Sequence, residues 1–483
     1  MRIILLATIG VTLVFLLGHG NIGMVRYFDA DEFAYLHWAH DVVRGQRPYV
    51  DFFFYATPGF LWILAPLYWI ASGTSVLLWA RFVAFLIFVL LCITTGYLAY
   101  LLRKNWTALV APLVLAFLPL PFDKFLEVRP DNLALLLAMI GIICVIKKTR
   151  SRAGVFWSGV FMAASALVIQ KSIVFAAVTA LFVVVSKRKM VIPYAVGFGL
   201  TILLFLFWAL TTGDFGQVLY SIVLLPWEVS KISQFFIMMP DLFFYPNGIF
   251  YGADGYSFGL LTNHAVWIIG LVVGSVRLVI PFLYGGRERV WEEVYVAGLF
   301  FLSVVSYIYL YPFKHTQYLI PVAVCIALYV ADGVYLVWMW AREVPGRRFL
   351  FGIIYTFCLI VLVKAFYETN VPKAAWTNTG DFVTLKRILA TIPKGSPVLD
   401  LTGSTIFYPN AFYACCFPFG QSAPYFSRPL PSVAESLENS QTNYIFGGML
   451  ERVTTLYPQD QAYIAEHFHP WTYDNQLLVR NGL

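Results

Sequence analysis

The chain has 483 residues, of which 60% are hydrophobic, 18% aromatic and only 12% charged, with a mean hydropathy of +0.74. A soluble domain has no way to hide that much apolar surface, so the composition excludes the soluble globular classes and points to a polytopic α-helical membrane protein. The net charge of +7 is no sign of a nucleic-acid partner, because basic residues in such chains mark cytoplasmic loops.

In chain order, residues 3–20 form the first apolar run. Arg2 precedes it and no convincing small-x-small cleavage site follows, so it reads as a signal-anchor helix. The loop 21–73 then places Asp29, Asp31 and Glu32 within four residues. Such a cluster beside a membrane span is costly to keep dry and belongs at a water-accessible surface. A plainer reading is a helix start, with Asp29 or Asp31 capping a helix from about Glu32 to Arg44. His37 and His40 on that helix could bind zinc with Asp41 or Glu32, although packing or surface roles are commoner for such histidines.

Further apolar segments lie at 74–101, 106–120, 131–146, 153–169, 172–186, 190–212, 260–283, 293–311, 317–340 and 349–367. With the first run they make about eleven spans. Basic residues gather in the loops on one side: Arg2, Arg103, Lys104, Lys147, Lys148, Arg150, Arg152, Lys187, Arg188, Lys189, Arg287, Arg289, Arg342, Arg347 and Arg348. That bias places the N-terminus inside and the region after residue 370 outside. The run 172–186 reaches roughly 22 Å at about 1.5 Å per residue, against a hydrocarbon core of about 30 Å. The stretch 153–186 is therefore tight for two spans, and its apex, Gln170-Lys171, lies slightly below the outer surface. A lysine there needs an anionic partner or a wet cavity, or else it snorkels.

After residue 370 the chain becomes richer in proline and polar residues, with short alternating runs SPVLDL, NYIFGG and QLLVR. Residues 384–390 read as a helix, and Ile-Pro-Lys-Gly as a turn into a strand. The expected organisation is a transmembrane domain over 1–369, with outer loops 21–73 and 213–259, and a small outward-facing α/β domain over 370–483. Cys92, Cys144, Cys325 and Cys358 fall inside apolar segments and read as small core residues. Cys415 and Cys416 are adjacent, and neighbouring residues rarely have the geometry for a mutual disulfide. Neither a disulfide framework nor a metal site is expected from cysteine.

This topology puts one set of polar residues on the outer face. It comprises Asp29, Asp31 and Glu32; Arg129 and Asp131, flanking Pro130 in the first turn of the fourth span; Gln170 and Lys171; and Lys314, His315, Gln317 and Tyr318. The loop 213–259 adds Trp227, Glu228, Lys231 and Asp241, with Tyr245, Tyr251 and Tyr256 as rings for stacking on a sugar. A few carboxylates facing several separated cations suit transfer of a sugar from a lipid phosphate to a hydroxyl. The leaving phosphate wants cations rather than a proton. The incoming hydroxyl wants one carboxylate as base, and direct displacement inverts the anomeric centre. Glycoside hydrolysis would instead ask for a second carboxyl to protonate the leaving oxygen.

Asp-Ala-Asp-Glu at 29–32, Ala-Tyr-Leu-His-Trp-Ala-His-Asp-Val-Val-Arg-Gly at 34–45, Pro-Tyr at 48–49, Asp-Phe at 51–52 and Pro-Gly at 58–59 resemble the first outer loop of GT-C-fold glycosyltransferases. These include the protein O-mannosyltransferases and the aminoarabinose transferase that modifies lipid A. Arg129-Pro130-Asp131, Gln170-Lys171 and Tyr318-Leu319-Ile320-Pro321 resemble later motifs of the bacterial members, and the likeness covers most of the membrane region. The resemblance implies a GT-C-like fold and an inverting transferase using a polyprenyl- or dolichyl-phosphate sugar. Asp31 would be the base, with Asp29 as its competitor and Glu32 positioning acceptor or sugar. Arg129, Lys171, Lys314 and His315 would hold the donor phosphate, and Asp131, Gln170, Gln317 and Tyr318 would contact substrate. It implies no cofactor and no metal, and a glycan, lipid or protein acceptor at the outer face of a bacterial cytoplasmic membrane. A transporter or flippase would place its charges at mid-membrane on broken helices, usually with a repeat. A polymerase or ligase with a lipid-diphosphate donor would share the outer cations, with Asp29 available as a metal ligand.

Overall fold

A computed structural model describes residues 2–119, 124–147, 151–232, 246–284, 287–310, 316–416, 426–448, 458–471 and 474–483. Every apolar segment read from the sequence is helical over most of its described residues. Among the described residues eight helices are long and apolar enough to cross a membrane, from Arg2–Val25 to the one beginning at Pro345. Four others among the described residues, Gly59–Ile70, Trp106–Phe117, Arg152–Val168 and Gln170–Ser186, are apolar but shorter than 18 residues. The break between the last two is local: Ile169 is extended (φ −153°, ψ 125°), and Gln170–Ser172 makes one tight turn before Ile173–Ser186 begins.

The helices pack in two linked groups. Arg152–Val168 lies between Pro130–Lys147 and Val191–Thr211, and Ile320–Ala341 packs on Phe258–Tyr284, Val110–Phe117 and Ser75–Arg103. Close approach explains Gly197, where a Cβ would collide with the carbonyl of Phe156 on the facing helix. Away from these contacts the surface stays apolar: Ile192, Leu203, Phe207 and Leu210 are all exposed. That pattern suits a hydrocarbon surround, where backbone groups must be satisfied inside each helix.

Both ends of Ser75–Arg103 are tied by charge. Near its start, Arg81 pairs with Glu32. At its last turn, Arg103 pairs with Asp332 and Glu293, and Arg277 also grips Asp332. At about 1.5 Å per residue the two arginines stand about 33 Å apart along the helix, close to a hydrocarbon thickness. One brace therefore sits at each end of the bundle.

The C-terminal region holds a four-stranded sheet in the order β1-β2-β4-β3, with β1 Val398–Leu399, β2 Tyr444–Phe446, β3 Phe468–Trp471 and β4 Asp474–Arg480. The β1–β2 pair is parallel, with Val398 opposite Tyr444, and the other pairs are antiparallel. SPVLDL, NYIFGG and QLLVR each supply a strand, and the helix read at 384–390 extends over Thr379–Thr391. This region is fastened to the loop after the first helix. Asn378 donates from its backbone to the Val25 carbonyl (2.7 Å) and from its side chain to that of Met24 (2.8 Å), and Asp381 accepts from the Phe28 N–H (2.8 Å).

Candidate active site

The helix Ala30–Val43 is built from its first turn. Asp29 is its N-cap: its carboxylate accepts from the Asp31 N–H (2.9 Å), and the Glu32 carboxylate reaches back to the Asp29 N–H (3.0 Å). This is a reciprocal capping box. The plain helix-start reading and the clustered-acid reading are therefore both true of the same residues. The cap turns the Asp31 side chain outward, where it is 49% exposed, against 31% for Asp29.

Arg129 stands just before Pro130–Lys147 and gathers three carboxylates. Its Nη1 donates to Asp31, its Nη2 to Asp29 (3.0 Å) and its Nε to Glu127. The side chain is 7% exposed. Lys124 adds a second cation, donating to both oxygens of Glu127 (2.8 and 2.9 Å) and standing 3.8 Å from Asp29. Arg26 closes the set on Glu127 (2.9 Å). Burial alone would push Glu127 up, but Arg129, Lys124 and Arg26 together hold it well below the usual carboxylate range. Glu127 is thus a fixed negative charge that aligns the cations.

Asp29 behaves in the opposite way. Burial, and then the Glu127 charge, hold its carboxyl above the ordinary range against the pull of Arg129 and Lys124. The fold favours its protonated form, so the associated stability is present in acid and is lost as pH rises through the raised value. Asparagine at 29 keeps a good cap and an acceptor for Arg129 while removing the charge. The Asp29→Asn protein is therefore expected to melt at a higher temperature than wild type at neutral pH, with the gap closing toward acid. Melting scans in detergent across pH check this; a gap of opposite sign, or one independent of pH, contradicts it.

Glu32 occupies a different environment from its neighbours. It is fully buried and accepts from Arg81 Nε (2.9 Å), Arg81 Nη2 (2.7 Å), the Val128 N–H (3.2 Å) and the Asp29 N–H (3.0 Å). Arg81 in turn donates to the carbonyls of Gly23, Arg26 and Tyr27. Glu32 therefore ties the first helix, the acidic helix and the 126–129 turn into one piece, and its oxygens face donors of the protein rather than open space.

A second cluster forms where Pro130–Lys147 meets the 169–172 turn and the start of Ile320–Ala341. Lys171 donates to Asp131 and lies 3.8 Å from the centre of the Tyr318 ring. Asp131, Lys171, Gln317 and Tyr318 line a small cavity together with Ile169, Ser172 and Pro321. The two clusters are adjacent. Tyr35 and Tyr55 feel both the Asp31 and the Asp131 charge, and burial pushes Tyr55 up to about 12. Gln170 faces the loop before Gly59 instead: it donates to the Tyr55 carbonyl (2.9 Å) and accepts from the Thr57 N–H (3.3 Å). Both ends of its amide hold backbone.

Lys314, His315, Asp241 and Tyr245 lie outside the described residues, as does the Lys231 side chain. In the 213–259 loop, Trp227 and Tyr256 are exposed, Tyr251 is buried against Asn263, and Glu228 accepts from Tyr220. His40 packs on Tyr68 and Phe407, and His37 lies 3.4 Å from Asp41. Three charged partners were not singled out from sequence: Arg26, Arg81 and Lys124. Arg81 carried a usable signal, because an arginine inside an apolar run implies a buried anion. The cysteine expectation is corrected: Cys415 and Cys416 form a disulfide. The left-handed backbone at Cys416 (φ 66°) turns two neighbouring side chains to one side, which an extended chain would not do.

No protein-family profile and no curated protein sequence matches the chain. Solved structures do. The oligosaccharyltransferase AglB of Archaeoglobus fulgidus, in complex with an inhibitory peptide and a dolichol-phosphate, aligns over 97% of this chain and 73% of its own, with a TM-score of 0.60 at 12% identity. The apo form of the A. fulgidus enzyme aligns over 95% and 72%, with a TM-score of 0.58 at 12% identity. ArnT of Cupriavidus metallidurans in the apo state aligns over 98% of this chain and 96% of its own, with a TM-score of 0.57 at 12% identity. At such identities the likeness concerns architecture, and the chain accordingly has the GT-C-like fold of a multi-pass membrane protein with a small C-terminal strand region.

Proposed function

We propose that the protein is an inverting glycosyltransferase that moves a sugar from a polyprenyl-phosphate donor to a hydroxyl of a cell-envelope glycan, lipid or protein. The reading places the reaction at the outer face of a bacterial cytoplasmic membrane, with residues 1–369 carrying the chemistry and 370–483 forming an extracytoplasmic domain. The observation that carries it is the juxtaposition of a half-open carboxylate, Asp31, with the buried Arg129 and the partly buried Lys171 at one end of the helical bundle. The lipid phosphate named with the A. fulgidus enzyme supports the donor class.

In this reading Asp31 takes the proton of the acceptor hydroxyl as its oxygen attacks the anomeric carbon. The bond from that carbon to the phosphate oxygen breaks, and its electron pair leaves with the lipid phosphate. Lys171 and Lys124 stabilise the charge that develops there, joined by Lys314 and His315, while Asp131, Gln317 and Tyr318 border the sugar. Arg129 already serves three carboxylates, so its role is to position Asp31 and Asp29. Glu32 and Gln170 likewise act through the residues they hold. Incubating the purified protein with a panel of polyprenyl-phosphate sugars tests the class. Release of free polyprenyl phosphate from at least one donor is expected, and no release from any donor, with or without candidate acceptors, contradicts it.

A further inference from the structure

Outside this cluster, a second group of reactive side chains lies where the C-terminal region meets the acidic helix. Cys415, Cys416 and His37 are all buried, with ligand atoms within 4.8 Å of one another. His37 is fully buried, and among the described residues its Nδ1 has no hydrogen-bond partner. Among the same residues its Nε2 has only the Asp41 carboxylate, at 3.4 Å, and Asp41 Oδ1 is itself without a hydrogen bond. Leaving buried polar atoms unmet is costly, so such a group points to a missing partner.

The surrounding backbone is held firmly. Asp400 accepts from the backbone and hydroxyl groups of Thr402 and Thr405 and from the Gly403 N–H. Gly403 adopts φ +79°, and a Cβ there would sit 2.9 Å from Ala34 Cα, 3.0 Å from Cys416 Sγ and 3.1 Å from His37 Cβ. Only glycine lets this loop touch the helix. Tyr413 reinforces the contact, accepting from the Phe53 N–H (2.8 Å) and donating to the Tyr49 carbonyl (2.5 Å).

We propose that Cys415, Cys416 and His37 form a thiol-gated site for a thiophilic divalent cation, closed while the cysteines are joined and able to bind once they are reduced. The gate needs two electrons and two protons, which a dithiol reductant supplies. One of its thiolates attacks a Cys sulfur to give a mixed disulfide, and its second thiol displaces that bond. The reductant leaves as its own disulfide, and both cysteines leave as thiols. Metal binding then releases the two thiol protons to solvent. Two thiolates and one divalent cation sum to zero charge, and neutral His37 adds a nitrogen, which suits a buried position. Zn–S bonds of about 2.3 Å in a tetrahedron put the sulfurs about 3.8 Å apart, a separation that opening the disulfide permits. Asp41 supplies the carboxylate behind the histidine that metal-bound imidazoles commonly carry. The site would then join the C-terminal region to the helix bearing Asp31, and it does not rest on the glycosyl-transfer reading.

The test uses the full chain in detergent, before and after treatment with a phosphine reductant that is then removed. Thiols counted in denaturant should number four before and six after, since two of the six cysteines are joined. Cadmium chloride is then titrated and the ultraviolet sulfur-to-cadmium band recorded. The reduced chain is expected to take up one cadmium that the oxidised chain does not. That uptake should vanish in the Cys415→Ser/Cys416→Ser protein, which retains the other four thiols, and weaken at least tenfold in His37→Gln. A loss of about 10–100-fold is expected for Asp41→Asn. Equal uptake by oxidised and reduced chains, no uptake by a chain with six free thiols, or unaltered affinity in His37→Gln would overturn the proposal. A count of six without reduction would overturn the gate.

Discussion

Replacing Asp31 by asparagine is expected to lower turnover by about 10²–10⁴-fold, the usual contribution of a positioned general base. The asparagine keeps the size of the side chain and an acceptor for Arg129, so the cap, the Arg129 contacts and donor binding should survive. The loss should therefore fall on kcat and leave donor KM nearly unchanged. Asp29→Asn serves as the comparison, because its carboxylate is already committed to the helix cap and to Arg129. A smaller effect at 29 than at 31 assigns the base to Asp31. Steady-state release of polyprenyl phosphate by the two variants measures both effects, and full turnover by Asp31→Asn removes that residue from the mechanism.

The second large effect is on stability. Arg81→Leu is expected to cost about 3–5 kcal/mol, the cost of stripping one partner from a buried ion pair. Arg81 is 1% exposed and Glu32 is fully buried, so the remaining carboxylate cannot turn to water. Three carbonyls, of Gly23, Arg26 and Tyr27, lose their donor at the same time. Adding Glu32→Leu removes the stranded charge, so the double variant should recover part of the loss. Thermal unfolding of wild type, both single variants and the double variant checks this. Strictly additive losses contradict a direct pair.

The apolar helices were legible because long apolar runs have few alternatives in water, although only eight of those described are long enough to cross a membrane against the eleven spans expected; the strands of SPVLDL, NYIFGG and QLLVR were legible because alternation and turn residues bound them. Of the polar residues read from the sequence, Asp29 and Asp31 meet at Arg129, and Asp131 pairs with Lys171 in a second cluster. Partner choice was not legible. Glu32 sits one residue from Asp31, yet a helical step of 100° turns it from solvent to Arg81, which comes from another helix. Gln170 reads as a substrate ligand beside Lys171, but its amide is spent on Tyr55 and Thr57. The Cys415–Cys416 bond depends on a left-handed residue that no composition rule marks. The first two are decided by tertiary contacts across many residues and the third by a single backbone torsion, none of which local pattern records.

In the proposed reaction one carboxylate face directs an acceptor oxygen onto a sugar carbon while cations take the departing lipid phosphate. A donor carrying a heavy-oxygen label at the bridge between sugar and phosphate tests it most directly. The expected result is all of the label in the released polyprenyl phosphate, with a glycosylated product of inverted anomeric configuration. Label retained on the sugar would mean that the phosphorus–oxygen bond had broken instead, and would contradict the account.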